Sequence, residues 1–357
     1  MTDLSTTSAT TMRAWRTHRY GPPREALKLD SVPIPAPGPG ELLVRVQAIP
    51  LNLNDLERIT GGNMMVRHEL PYSPGMEVMG VVAACGAGAE TWLGKRVVAM
   101  PKGAIGGFAE YAVCALVSAF EMPDAIPLPD AAALYFPFHL AWLGLFDRAA
   151  LTAGESVLIH AAAGGSGSAA IQLAVNAGAR VFATAGSEAK LKLCRELGAE
   201  VAINYRESDF AQIVMDATGN RGVDVVFDNV GEAVMAKSLD CIAYNGRYLM
   251  MGFASNKLVA DEKFLVPRRL MAGNLKLCGV LLAYAPEAAA RMLKRGMGWN
   301  FVSNPLGEKI MREVVEGVIA KKLKPVIGRV VEFEEIPAAI EAMANRESVG
   351  RTIVKLY

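Results

Sequence analysis

The run from Ser156 to Gly186, SVLIHAAAGGSGSAAIQLAVNAGARVFATAG, constrains this chain more than any other segment. Val157, Leu158 and Ile159 form a short apolar β-run, and glycines follow at once. Ile171, Ala174 and Val175 then recur at helical spacing, and Arg180 to Thr184 returns to β composition. The order is strand, glycine turn, helix, strand. Ala162, Gly164 and Gly167 fill the three small-residue places of a G-x-G-x-x-G pattern. In such a turn the first keeps the bend tight, the second admits a pyrophosphate close to the backbone, and the third lets helix and strand pack closely. Unpaired N–H groups at the helix start complete an anion site. The expectation is a dinucleotide-binding turn made of Ala162, Gly164, Gly165, Ser166 and Gly167.

The pattern continues downstream. SVLIH, RVFAT, VAIN near 201, DVVFDNVG at 224–231, GRYLMMG at 246–252 and NLKLCGVLL at 274–282 read as six strands, with helices such as Ser187 to Ala199 between them. Six strands with helical crossovers predict an α/β fold, a doubly wound parallel sheet with its ligand at the strand C-termini. Asn229 and Gly231 follow the fourth strand, and Gly252 and Phe253 the fifth, so they are expected at that edge. Residues 12–137 differ. ELLVRVQAI, EVMGVVAAC, KRVVAM and FAEYAVC are short β-runs between Gly and Pro clusters, which predicts a small barrel. The last run, Arg351 to Leu356, is expected to return to it. Residues 1–11 read as a disordered polar tail rather than a signal peptide. Residues 12–137 and 285–357 read as the barrel domain, and 138–284 as the inserted dinucleotide domain.

Composition excludes some partners. Lys plus Arg is 37 and Asp plus Glu is 36, so no global field favours nucleic acid or a membrane surface. Five cysteines, an odd count without C-x-x-C, read as buried thiols and fit a reducing, cytoplasmic setting. The apolar run Ala131 to Phe146 contains Pro137 and His139 and falls short of the roughly 20 residues of a membrane span. A buried helix is expected there.

Further motifs are AIPLNLNDLERITG, PYSPGMEVMGVV, GGFAEY, LGAEVAINYRESDF and the VGRTIVKL ending. With the glycine turn, and in this order, they make the chain from Met12 to Tyr357 resemble the zinc-free quinone oxidoreductase branch of the medium-chain dehydrogenase/reductase superfamily. The resemblance implies a Rossmann sheet inserted in a GroES-like β-barrel catalytic domain, a cleft between the two, and a homodimer.

The second β-run ends Phe182-Ala183-Thr184-Ala185-Gly186-Ser187, without the acid that NAD-binding folds use on the ribose. Glu188 lies beyond it, where an acid also complements a helix dipole. Gly186 and Ser187 are expected to border the ribose. By the resemblance, Lys190 and Tyr205 match positions that hold the 2′-phosphate in NADPH-using relatives, and Arg346 is expected to join them. NADPH is therefore the expected cofactor, although Lys190 also reads as a solvated face with Lys192 and Arg195.

Zinc-dependent relatives carry a Cys after the strand matching Glu41–Ile49 and a His in G-H-E. Here the chain reads Asn52-Leu53-Asn54-Asp55 and Gly75-Met76-Glu77. Four scattered histidines and one Cys between Lys95 and Cys114 supply no zinc set. No metal is expected. Without a Lewis acid, alcohol oxidation lacks help removing the hydroxyl proton, whereas a quinone or α,β-unsaturated carbonyl spreads the charge of hydride addition onto its own oxygen. The resemblance places Asn52 against nicotinamide or substrate, and its amide can donate to a developing oxyanion. Two departures stand against the pattern: no Tyr near Leu56 or Glu57, and Leu140-Ala141 where relatives carry Thr-Ala. The leading expectation is an NADPH-dependent reductase of quinones or activated C=C bonds acting on a small molecule. A zinc-type alcohol dehydrogenase and an NADPH binder without turnover are the alternatives.

Overall fold

The computed structural model describes residues 10–62, 67–252 and 267–356. Fourteen strands in this range form three sheets. β1 (Thr11–Thr17) and β2 (Leu27–Pro33) pair antiparallel as a ribbon. The second sheet has the order β13-β14-β3-β4-β5-β6. It is built from β3 (Glu41–Pro50), β4 (Val78–Cys85), β5 (Arg96–Pro101), β6 (Tyr111–Glu121), β13 (Ile327–Glu332) and β14 (Arg351–Lys355). β6 also pairs with β3, so β3, β4, β5 and β6 form a closed cycle of pairings. The C-terminal strand β14 joins antiparallel to β3, Ile353 opposite Pro50, and parallel to β13.

The third sheet is wholly parallel. Its strands are β7 (Ser156–Ile159), β8 (Arg180–Ala185), β9 (Val201–Asn204), β10 (Val223–Asp228), β11 (Ile242–Met250) and β12 (Lys276–Gly279), in the order β12-β11-β10-β7-β8-β9. All six expected strands are present, in the doubly wound order that reverses direction between β7 and β10. A sheet covered on both faces needs apolar side chains on both. β7 and β10 are buried at every position. Asp224, the charge inside β10, is satisfied by the Ser156 N–H and hydroxyl and by Arg221.

The run expected as a buried helix leads into this sheet as α2 (Tyr135–Trp142), with Tyr135, Phe138, Leu140 and Ala141 buried; α1 is Leu53–Thr60. Pro137 stands in the first turn, where a missing N–H breaks no helical bond. No helix among the described residues is long and apolar enough to cross a membrane. The glycine turn opens α3 (Gly165–Asn176), and α4 is Glu188–Glu196. The segment before β13 is pinned to α3: Gln172 exchanges two hydrogen bonds with the Lys324 backbone, at 2.9 and 2.7 Å, and Asn176 donates to Lys322 O. The sequence reading missed β1, β2 and β13. β13 is mostly exposed, so it lacks the apolar alternation that reveals a half-buried strand.

Candidate active site

The C-terminal edge of the parallel sheet opens on a cavity of about 2650 Å³, bordered by the glycine turn, the start of α1, α2 and the residues after β8, β10, β11 and β12. Gly164 is the N-cap of α3, in extended conformation. A Cβ there would meet only Ala161 O, at 3.2 Å. The cleft side of the turn is therefore open to a ligand. A Cβ at Gly167 would fall 2.4 Å from Ala161 O and 2.6 Å from Ala162 Cα, so only hydrogen fits. The left-handed residue of the bend is Ala161 (φ 50), while Ala162 is fully buried beneath it. Gly165 and Ser166 occupy the first turn of α3, and Gly165 rests on Arg351, whose Cδ lies 2.7 Å from where a Cβ would stand.

At the end of β8, Gly186 lies beneath the Tyr205 hydroxyl and the Arg206 guanidinium, 2.8 and 3.0 Å from the place of a Cβ. Ser187 is the N-cap of α4. Lys190, in the first turn of α4, donates from Nζ to Arg346 O at 2.8 Å, and Arg346 holds a left-handed backbone. A cation at a helix N-terminus opposes the dipole and is stabilised by a nearby anion or carbonyl. Glu188 does not face the cleft as an acid for the ribose: both Nη1 and Nη2 of Arg195 donate to it at 2.8 Å. Lys190, Tyr205 and Arg346 thus border the same cavity as the glycine turn. Asn229 borders it after β10. A Cβ on Gly252 would lie 2.4 Å from Asn229 O, so the ends of β10 and β11 abut there. Phe253 lies outside the described residues.

Asn52 lines the cavity and is 4% exposed. Its Nδ2 donates to Pro50 O and Glu77 Oε2, each at 3.1 Å, and its Oδ1 accepts from Arg351 Nη1 at 2.7 Å. Both amide hydrogens and the amide oxygen are therefore engaged. Glu77 also pairs with Arg351 Nη2 and accepts from Phe136 N at 3.0 Å, at the start of α2. Arg351 Nε is buried without a hydrogen-bond partner among the described residues. Asp55 anchors the loop, accepting from Asn52 N at 2.9 Å and Met76 N at 3.0 Å. Full burial pushes its carboxyl up to about 6.

Glu77 and Arg351 are site residues that the sequence reading did not single out. A charge inside the apolar runs MEVMGVV and GRTIVKL is the signal that marks them, because a charge is buried only when paired. Two histidines near the cleft are neutral because burial lowers each to about 3. His160 bridges the Thr184 and Ser238 hydroxyls at 2.9 and 2.8 Å, and His139 Nδ1 meets the Tyr284 hydroxyl at 2.9 Å. Leu140 borders the cavity and Ala141 is buried beneath it. Among the described residues no three Cys, His, Asp or Glu side chains converge on a metal position. Glu77, the carboxylate beside Met76, is committed to Arg351.

Comparison with known proteins agrees with this geometry. The family described as zinc-binding dehydrogenase matches residues 165–296, and the alcohol dehydrogenase GroES-like domain matches residues 38–124. The human quinone oxidoreductase is 30% identical over 354 residues, covering 97% of this chain and 98% of that protein. The rat quinone oxidoreductase is 33% identical over 305 residues, covering 84% of this chain and 90% of that one. Among solved structures, mycobacterial Rv1454c complexed with NADPH superposes with a TM-score of 0.82 at 28% identity, covering 96% of this chain and 99% of the other. A GroES-like part, a parallel dinucleotide sheet and full-length likeness to quinone oxidoreductases coincide. The chain belongs to the quinone oxidoreductase-like branch of the medium-chain dehydrogenase/reductase superfamily.

Proposed function

We propose that this oxidoreductase uses NADPH to reduce a quinone or the activated C=C bond of an α,β-unsaturated carbonyl, without a metal ion. One observation carries the reading. The open glycine turn shares its cavity with Lys190, Tyr205 and Arg346, and no carboxylate stands at the end of β8. The α3 N-terminus would hold the pyrophosphate. Lys190 and Tyr205, with Arg346 beside them, would hold the 2′-phosphate, and Gly186 and Ser187 would border the ribose. The cofactor would supply hydride when bound. A conjugated acceptor takes that hydride at carbon, its oxygen carries the negative charge, and a proton from water completes the reduction. The protein's part is to orient the acceptor and dry the cleft, tasks suited to the apolar walls of α2 and to Leu140.

Asn52 is assigned here as a positioning residue within the Glu77–Arg351 network. We further propose a homodimer formed through the β12 edge, whose Leu277 and Leu281 are exposed, and a cytoplasmic setting. Initial rates with NADPH and NADH across a panel of quinones and enones, followed at the nicotinamide absorbance, test the reading. NADPH-preferring turnover is expected. Consumption of neither coenzyme across the panel supports a binder instead, and stoichiometric zinc in purified protein supports an alcohol dehydrogenase.

A further inference from the structure

The helix Glu287–Met297 (α5) is amphipathic, and none of its residues is fully buried. Arg291, Lys294 and Arg295 are exposed on one side. Ala289, Leu293 and Met297 recur every fourth residue and border the cavity. The wall continues through Trp299 and Phe301 to Leu306 at the start of the next helix, α6 (Asn304–Ile319). It is tied to the segment after β12 where Val302 N donates to Ala283 O at 2.9 Å. None of the cavity-lining residues between Gly279 and Leu306 is charged.

This wall stands at the β11–β12 end of the sheet. Gly186, Lys190 and Tyr205 follow β8 and β9, on the opposite side of β7. A dinucleotide with its pyrophosphate at α3 and its adenosine over β8 and β9 would run its nicotinamide half over β10 and β11, so the α5 wall stands on the acceptor's side of the cleft. Volume agrees. A drug-sized ligand occupies roughly 300–1,000 Å³, so coenzyme and a compact acceptor together leave part of the 2650 Å³ unfilled.

We infer that the acceptor carries a long, uncharged aliphatic chain that lies along Ala289, Leu293, Met297, Trp299 and Phe301, its reducible head toward Leu140. This rests on the reductase reading for the head, while the tail site stands on the wall itself. The continuity of the apolar stripe with the coenzyme cleft selects a substrate tail over a second protein, and the absence of charge along it selects a neutral tail over an acid.

Two measurements test this. The first is kcat/KM with NADPH for a homologous series of 1-alken-3-ones of increasing length. Each added methylene that leaves water gains up to about fourfold, from roughly 0.8 kcal/mol per CH₂. Leu293→Asp and Met297→Asp lower the long-to-short ratio. The second is binding of non-reducible 2-alkanones to the coenzyme-free protein, read by tryptophan fluorescence, with Trp299→Phe removing the signal. Affinity rising with chain length and lost in Leu293→Asp supports the wall even where no acceptor turns over, an outcome that overturns only the reductase reading. Turnover with no dependence on length, or alkanone affinity independent of length, overturns the wall. Conversion of a dimer to monomer by Leu293→Asp assigns the face to a second copy and likewise overturns it.

Discussion

Substituting Ala separately at Gly164 and Gly167 separates phosphate binding from helix packing, two roles assigned to glycines three residues apart. At Gly167 the new methyl falls 2.4 Å from Ala161 O and 2.6 Å from Ala162 Cα. Both are backbone atoms, so no side chain can swing away. Ordinary contact begins near 3.4 Å, and α3 must therefore retreat from the β7 turn by about 1 Å. Forced overpacking of this kind costs about 1–3 kcal/mol, and at roughly 2–4 °C per kcal/mol for chains of this class the melting temperature falls by several degrees. Retreat of the helix N-terminus also weakens NADPH. At Gly164 the methyl meets only Ala161 O at 3.2 Å, so the fold tolerates it. It projects into the open cleft and holds a pyrophosphate off the α3 amides. Losing hydrogen bonds to a charged group costs about 1.5–3 kcal/mol, or roughly 10- to 100-fold in dissociation constant. Differential scanning fluorimetry and NADPH fluorescence titration give the two readouts. Gly167→Ala lowers both stability and affinity; Gly164→Ala lowers affinity alone. A Gly164→Ala protein with native affinity refutes the placement of the pyrophosphate, and a Gly167→Ala protein with native melting refutes the packing argument.

Lys190→Ala raises the Michaelis constant for NADPH about 10-fold or more while NADH changes little, because only the 2′-phosphate engages the ammonium; equal changes count against a 2′-phosphate site. Glu77→Gln, which leaves Arg351 buried without its counter-charge, destabilises by about 3–5 kcal/mol in chemical denaturation, and Glu77→Met with Arg351→Met recovers much of that loss. His139 and His160, each lowered to about 3, stay neutral in the fold but take up protons on unfolding below about 6.5, so stability falls with acid. Asp55, raised to about 6 by burial, acts with opposite sign: it favours the fold below its unfolded value near 4, and that contribution is lost as pH rises through 6. At pH 5 the three groups together take up a net of about one proton on unfolding, so stability falls by about 1.4 kcal/mol per pH unit of acidification, and Asp55→Asn steepens this acid limb.

The parallel sheet was legible because each of its signals is local. An apolar run, a glycine turn and a helical repeat lie within thirty-odd residues of one another, a scale set by the βαβ unit. The return of Arg351–Leu356 to the first β-rich unit was legible from its β composition, and β14 does pair with β3; which strand it joins, and the closure of β6 on β3, rest on pairings across tens to hundreds of residues that composition does not encode. The glycine turn was legible for the same reason as the sheet, down to the packing constraint at Gly167; the left-handed backbone at Ala161 was not, because an Ala carries no signal for it. The Asn52–Glu77–Arg351 cluster was not legible as a unit. Its members are separated by 25 and 274 residues along the chain, and each by itself reads as a turn residue or an isolated charge.

That cluster changes what Asn52 can do. A donor for a developing oxyanion needs a free hydrogen, and both hydrogens of Nδ2 are already placed on Pro50 O and Glu77. Releasing the bond to the Glu77 carboxylate costs about 1.5–3 kcal/mol, close to what one oxyanion-hole donor contributes to a rate, about 2.7–4 kcal/mol. Direct donation by Asn52 therefore gains little over leaving the network intact. Arg351 offers a different link. Its guanidinium binds Asn52 and Glu77, its Cδ lies under Gly165, and its preceding residue, Gly350, donates to Ala163 O at 2.8 Å. One residue thus spans the glycine turn of the parallel sheet and the α1 loop of the other. The glycine turn and the Asn52 side of the cleft are thus in contact through one buried cation.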